Sequence, residues 1–269
     1  MYPNLTVNEE LSIPLYSLVF LLGFVLSILI AMKDSKKYGI IKVDICLGSL
    51  FGGIGIIIGA KLLCFITKLP TIINNWEWFS ELLRTDNTKA IEYAFGGLVY
   101  YGGFIGAVLG AYLYCKKYHI NFISFIDIFA PLVPFVHAFG RIGCFLAGCC
   151  YGIEYHGIGS VTYPYNERIP ELSKVPRVPV QLMEAFLNFI FSAVLYVLSR
   201  KKKLKPGQSM GIYLVYYTIV RYLLEMLRGD AIRGKVGFLS TSQIISIVLL
   251  PIGIYLICRK ERCEKEDND

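Results

Sequence analysis

Charged residues are scarce in this chain of 269 amino acids. They make up 17 % of it, against roughly 25 % in an ordinary soluble domain. Hydrophobic residues make up 55 %. They fall into blocks of about 20 residues, each long enough to cross a hydrocarbon core of ~30 Å. This distribution argues against an ordinary soluble protein and predicts an all-α polytopic membrane protein.

The chain also lacks a C-x-x-C pair and a secretory cleavage site with small residues. The first apolar block is long and is followed by lysines, so we expect it to be a retained span. Of eight cysteines only Cys144, Cys149 and Cys150 cluster. Their C-x4-C-C spacing differs from the paired ligands of a zinc site, and thiol–disulfide exchange favours C-x-x-C. We therefore expect no metal and no cofactor, and interpret the three cysteines as packing residues in a glycine-rich turn.

Seven transmembrane helices are predicted from the apolar blocks. They cover residues 11–32, 45–66, 95–114, 122–143, 180–198, 210–227 and 239–258. The loops on one side carry fifteen Lys and Arg residues and those on the other side carry nine. The richer side should be cytoplasmic, which places the N-terminus outside and the C-terminus inside. The net charge of +7 then marks cytoplasmic loops, and we do not expect nucleic acid as a partner.

We expect residues 1–269 to form a single transmembrane domain with two outer segments, 67–94 and 151–179. The first segment contains Trp76, Trp78 and Phe79, and is predicted to be an amphipathic helix at the membrane surface. The second is rich in Tyr, Pro and charge and is too long for a simple turn. Two interpretations stay open: a lid or docking surface, or plain connecting loops.

Ionisable residues inside the predicted spans need a partner or a use, because each costs about 2.5–3.5 kcal/mol on insertion scales. In "YTIVRYLLEMLRGD", Tyr217, Arg221, Glu225 and Arg228 share one helical face. Arg221 and Glu225 could form a purely structural pair. Alternatively, these arginines and Arg141 of "HAFGRIGCFLAGCCYG" form a positive site, since the planar guanidinium fork suits phosphate. At this depth the expected anion is the phosphate of a membrane lipid.

Several ordered motifs resemble those of one family. They are "GAKL" (59–62), "GGLVYYGGFIGA" (96–107), "DIFAPLVPF" (127–135), "GRIGCF" (140–145), "VPVQLMEA" (178–185) and "YTIVRYLLEMLRGD" (217–230). The chain resembles the prolipoprotein diacylglyceryl transferases over nearly its whole length, with seven spans in the same orientation.

The resemblance implies an activity and a place. Members of this family, in the bacterial cytoplasmic (inner) membrane, transfer the diacylglyceryl group of phosphatidylglycerol to the lipobox cysteine in preprolipoprotein signal peptides. A thioether forms and glycerol phosphate leaves. Two alternatives stay open: a paralogue that uses another acceptor, and a non-catalytic protein that binds or transports anionic lipid.

The resemblance also implies site residues. Arg141 and Arg221 would bind the phosphate and stabilise charge on the leaving group, Tyr217 and Tyr16 would orient the head group, and Glu225 would position the arginines. The implied substrate-binding set is Arg141, Arg221, Tyr217, Glu225, Tyr16, Lys61, Gly140 and Gly143.

The chain departs from the family pattern on the acid–base side of the site. Tyr101 stands at the position of a histidine proposed as a base, Cys144 and Cys149 at those of an asparagine and a glutamate, and Lys61 at that of an arginine. His137 lies one helical turn before Arg141 and could serve as the base, or be a plain core histidine. The implied catalytic set is Arg141, Arg221, Tyr101 and His137.

Overall fold

Helices dominate the computed structural model, which describes residues 4–8, 11–97, 99–164, 170–201, 204–229, 235–236 and 239–259. The strands in this part form two short antiparallel hairpins. They are β1 (Asn4–Asn8) with β2 (Leu11–Pro14), and β3 (Lys235–Val236) with β4 (Leu239–Ser240). The ten helices described are α1 (Leu15–Asp34), α2 (Lys42–Asn74), α3 (Trp76–Thr85), α4 (Asn87–Phe95), α5 (Tyr100–Lys117), α6 (Phe122–Phe129), α7 (Leu132–Ala147), α8 (Val180–Lys201), α9 (Gln208–Glu225) and α10 (Thr241–Cys258).

Helical structure is found in each of the seven predicted segments. By length and hydropathy, three helical stretches among the described residues can cross a membrane: 15–38, 42–74 and 180–201. The pair α6 and α7 provides a fourth span if the two helices, bent by 46° against each other, count as one. The chain is thus a helical protein with membrane-spanning character, while the count of seven and the orientation stay predictions.

Several details of the predicted spans are wrong. The first helix starts at Leu15 rather than Leu11, because residues 11–14 pair with β1 as a strand. The second runs on to Asn74 through Pro70, so it includes the first eight residues of the predicted outer segment. The fourth predicted span breaks before α7, where Pro131 is the N-cap and lacks the N–H that a continuous helix would use.

The rest of the predicted outer segment 67–94 forms α3 and α4. Phe79 is buried against α2 and α4, in a cluster with Ile72 and Ala90, whereas Trp76 is 59 % exposed. Asp86 caps α4 by accepting a hydrogen bond from the Lys89 backbone N–H at 3.0 Å, and this bond lowers the pKa of the Asp86 carboxyl. Helix α3 therefore has the one apolar and one exposed face that the sequence predicts.

The chain divides into two compact units, residues 1–31 with 126–269, and residues 32–125. In the first unit, α7 packs on α8 and α9 on α10. Two of the ten predicted site residues, Lys61 and Tyr101, belong to the second unit, and the other eight belong to the first.

Glycine backbones let α2 and α5 of the second unit pack closely. A Cβ atom on Gly106 would lie 2.0 Å from the Gly55 carbonyl oxygen, and one on Gly59 would lie 2.2 Å from that of Gly102. Both distances are far below van der Waals contact, so the helices meet through glycine backbone. Small residues let helices approach closely in this way in membranes, where lipid provides no hydrophobic drive for helix association.

We expect Gly106→Ala to destabilise the second unit, because the new methyl group would push α5 away from α2. Overpacking of this kind costs about 1–3 kcal/mol, which thermal unfolding in detergent would register as a lower Tm. Gly52→Ala is the matched control, since its Cβ would meet only the Ala107 carbonyl oxygen, at 3.5 Å. An equal loss of Tm in both variants would contradict the close contact.

Candidate functional site: a buried arginine, histidine and glutamate cluster

One buried carboxylate, Glu184 of α8, joins two of the predicted site residues. Its Oε2 lies 2.9 Å from Nε of Arg141 and its Oε1 lies 3.4 Å from Nε2 of His137. The Glu184 side chain is only 2 % exposed. Because His137 and Arg141 are one turn apart on α7, they share the face that receives the carboxylate. Glu184 thus fixes the orientation of both side chains.

Helix α8 supplies this carboxylate from a buried polar face. Gln181, Glu184, Asn188 and Ser192 are all buried and recur at intervals of three and four residues, so they lie on one side of the helix. Ser192 donates a hydrogen bond to the carbonyl oxygen of Pro131 at 2.7 Å. A polar stripe inside an otherwise apolar helix indicates a functional or interhelical role rather than exposure to lipid.

The second arginine forms an ion pair within its own helix. Nη2 of Arg221 contacts Oε2 of Glu225 one turn later, and the two side chains are 3 % and 9 % exposed. Tyr217, one turn earlier on the same face, has its ring centroid 5.9 Å from that of His137. Arg221 is also within electrostatic reach of Glu184. The face of α9 that carries Tyr217 and Arg221 therefore meets the face of α7 that carries Arg141 and His137.

The net charge of this cluster is lower than the sequence predicted. Sequence reasoning counted Arg141, Arg221 and Arg228 against Glu225 alone, whereas the structure pairs Arg141 with Glu184 as well. Both buried arginines thus have a carboxylate partner. A guanidinium has five N–H donors in a planar fork, and Arg141 faces Glu184 through Nε. One carboxylate cannot use all five donors, so a guanidinium of this kind can bind a second oxyanion as well.

Tyr16 of α1 packs beside the turn of α7 that follows Arg141. A Cβ atom on Gly143 would lie 2.9 Å from Cδ2 of Tyr16, so this glycine permits the close approach. A Cβ on Gly140 would lie 3.6 Å from Phe20, which is ordinary contact. Tyr16 and Arg141 interact electrostatically. The first unit therefore gathers eight predicted residues: Tyr16, His137, Gly140, Arg141, Gly143, Tyr217, Arg221 and Glu225.

The remaining two predicted residues lie in the second unit. Lys61 donates a hydrogen bond from Nζ to the carbonyl oxygen of Phe95 at 3.2 Å, so its ammonium group has a structural partner. Tyr101 lies in the first turn of α5, and its side chain lies outside the described part. The roles predicted for Lys61 and Tyr101 stay predictions.

The clustered cysteines surround the C-terminus of α7. Gly148 ends the helix in the left-handed conformation at φ 71°, as is common at helix C-termini. Cys149 donates a backbone hydrogen bond to the carbonyl oxygen of Cys144 at 3.1 Å, and Cys150 has a positive φ of 63°. The chain thus turns back on α7, and the three Sγ atoms lie within 4.8 Å of one another.

The predicted outer segment 151–179 is held against the ends of α8 and α9 where it is described. Gln181 donates from Nε2 to the carbonyl oxygen of Cys149 at 2.7 Å and contacts the Tyr163 hydroxyl. Burial raises the pKa of Tyr163. Ile153 donates its backbone N–H to the carbonyl oxygen of Leu227 at 2.9 Å. Hydrogen bonds thus connect the described part of this segment to Gln181 of α8 and to Leu227, which follows α9.

Sequence reasoning missed Glu184 as a site residue. Its segment "VPVQLMEA" supports the family resemblance, with no role predicted for the glutamate. The available signal was a glutamate within a predicted span, which costs free energy unless it has a partner. With Gln181 three residues earlier, that signal would have marked the polar face of α8.

A sequence model of the family described as "Prolipoprotein diacylglyceryl transferase" matches residues 4–259. The chain belongs to this family. It is 35 % identical over 241 residues to a phosphatidylglycerol–prolipoprotein diacylglyceryl transferase of Clostridium tetani, with 90 % of each chain covered.

Two further relatives agree. One from Clostridium perfringens, named phosphatidylglycerol–prolipoprotein diacylglyceryl transferase 2, is 33 % identical over 256 residues, covering 94 % of each chain. One from Rickettsia felis, which has the same name without the numeral, is 34 % identical over 258 residues, covering 93 % of each chain. The resemblance stated from the motifs is thereby confirmed.

Proposed function

We propose that this protein transfers the diacylglyceryl group of phosphatidylglycerol to the lipobox cysteine of a preprolipoprotein. The observation that carries the proposal is the family match over nearly the whole chain, together with two buried arginines on facing helices. We place the protein in the bacterial inner membrane as a multi-pass protein with seven spans, the N-terminus outside and the C-terminus cytoplasmic. Its partners would be phosphatidylglycerol and preprolipoprotein signal peptides.

The reaction exchanges a carbon–oxygen bond for a carbon–sulfur bond. The acceptor thiol loses its proton, and its sulfur attacks the glyceryl methylene carbon that carries the phosphate. The bond from this carbon to the phosphate oxygen breaks, its electron pair stays on that oxygen, and glycerol phosphate leaves. Negative charge therefore grows on the phosphate, where preoriented donors stabilise it most.

Arg141 and Arg221 are the donors for that charge in our proposal. Glu184 and Glu225 hold the two guanidinium groups in fixed orientations, so little reorganisation is needed when the phosphate arrives. Tyr217 and Tyr16 flank the two arginines and would orient the glycerol head group. Gly143 allows α7 to come close to α1, and Gly140 lies at ordinary contact distance from Phe20.

His137 is the base in this proposal. Its Nε2 faces Glu184, while its buried Nδ1 has no hydrogen-bond partner among the described residues. A carboxylate on one ring nitrogen fixes the tautomer and leaves the other nitrogen as an acceptor. That arrangement suits removal of a thiol proton, and Glu184 would act as the positioning residue.

Purified protein in detergent, supplied with phosphatidylglycerol and a lipobox peptide, tests the reaction. We expect the peptide mass to increase by one diacylglyceryl group and glycerol phosphate to appear in equal amount. Glycerol phosphate release without peptide modification would favour the paralogue with another acceptor. Bound phosphatidylglycerol without any turnover would favour a lipid-binding protein, and both outcomes would overturn the proposed transfer.

A further inference from the structure

We infer that Cys144, Cys149 and Cys150 together bind one thiophilic metal ion, with Zn²⁺ as the leading candidate. The proposal concerns a site that the transfer reaction does not use. It replaces the expectation, drawn from the C-x4-C-C spacing, that these cysteines only pack.

The geometry of the three sulfur atoms carries the inference. All three lie within 4.8 Å of one another. Zn–S bonds of about 2.3 Å in a tetrahedral arrangement place ligand sulfurs ~3.8 Å apart. Small side-chain rotations would therefore bring the three thiolates to bonding distance of one ion.

The backbone turn after α7 is what creates this convergence. Gly148 ends α7, and Cys150 adopts a left-handed backbone conformation that residues other than glycine rarely adopt. The Gln181 side chain holds the carbonyl oxygen of Cys149 at 2.7 Å. A strained residue held in place by its neighbours is a frequent mark of a functional site.

Two arginines lie within electrostatic reach of the cluster. Arg141 and Arg228 both act electrostatically on Cys150, and Cys144 and Cys150 in turn act on Arg141. Metal binding converts three thiols to thiolates, releases their three protons to solvent and involves no oxidation or reduction. The resulting ion with three thiolates has a net charge of −1, which suits a position beside these arginines.

Ligand number and exposure indicate what kind of metal site this is. Within the described residues, no His, Asp or Glu joins the group. Three protein ligands leave a fourth tetrahedral position, which water or another small ligand would fill. Cys149 is exposed and the other two are half-buried, so an ion can enter from solvent. Soft thiolates also suit Cu⁺.

Metal content of the purified full-length protein tests the site. The protein would be prepared in detergent with a reductant and without chelators, loaded with Zn²⁺ and desalted. Mass spectrometry of the metal should find one additional ion per chain compared with a Cys144→Ser, Cys149→Ser or Cys150→Ser variant. Cys46→Ser and Cys258→Ser are matched controls, because these exposed thiols lie outside the cluster, and they should retain the ion. Binding of copper by the same three thiols would support the metal site and would identify copper, instead of Zn²⁺, as its ion.

Thiol alkylation of the unmodified protein provides a test that needs no variant. Zn²⁺ should slow the alkylation of Cys144, Cys149 and Cys150 but not that of Cys46 or Cys258, as read from peptide masses. Equal alkylation with and without Zn²⁺, or retention of the ion by all three single variants, would overturn the proposal.

Discussion

Arg141→Ala is expected to lower kcat/KM for transfer from phosphatidylglycerol by about 100- to 1,000-fold, the usual cost of removing one preoriented donor from a developing oxyanion. The guanidinium is held by Glu184 at 2.9 Å, so its position is defined before substrate binds. Arg141→Lys should recover little of this loss, because an ammonium group is a point charge and cannot replace the planar fork. Release of glycerol phosphate and the mass of the peptide product measure the effect.

The same substitution should also destabilise the protein. Without Arg141, Glu184 becomes a buried carboxylate whose remaining described ion-pair contact is His137. Breaking a buried ion pair by removing one partner costs about 3–5 kcal/mol, so a loss of activity alone would be ambiguous.

A double variant separates the two effects. Arg141→Met combined with Glu184→Gln removes both charges at similar volume, which is often neutral for stability. We expect the double variant to recover the Tm lost in Arg141→Ala while activity stays low. If activity returned together with stability, the arginine would have only a structural role and the phosphate site would need another donor.

The sequence predicts local features of this site better than long-range ones. The Arg221–Glu225 pair follows from a four-residue interval on one helix, and its ion pair is confirmed. The pairing of Arg141 with Glu184 joins residues 43 positions apart on different helices. The spacing of residues within either helix cannot predict such a contact. Sequence reasoning therefore overestimated the positive charge, because it counted only partners within one helix.

The same contrast between local and long-range features applies to the prediction of the fold. Apolar blocks predict helices correctly in all seven segments, because hydrophobic length is a property of the local sequence. The strand pairing of residues 11–14 depends on a neighbouring chain segment, whereas the break at Pro131 has a local signal in the proline itself. The convergence of Cys144, Cys149 and Cys150 depends on two left-handed residues, Gly148 and Cys150. A glycine in the sequence can indicate a left-handed conformation, because glycine adopts it readily, whereas a cysteine gives no such indication.

His137→Gln is expected to slow the transfer step about 100- to 10,000-fold, the range found when a general base is removed. Glutamine retains a polar side chain that can still contact Glu184, so binding of phosphatidylglycerol should change little. The effect should appear in kcat rather than in KM for the lipid. The chain has three histidines, and His119→Gln and His156→Gln are matched controls that should retain full activity.

The pH profile distinguishes a base from a structural histidine at position 137. Without its base, the protein depends on thiolate that forms in solution, and a free cysteine thiol has a pKa near 8.5. We therefore expect the rate of His137→Gln to rise about tenfold per pH unit below that value, because each unit of pH increases the thiolate fraction tenfold. The unmodified protein should respond less steeply once His137 is neutral. A His137→Gln profile parallel to that of the unmodified protein would mean that another group takes the proton, and the role of Tyr101 would then be the next to test.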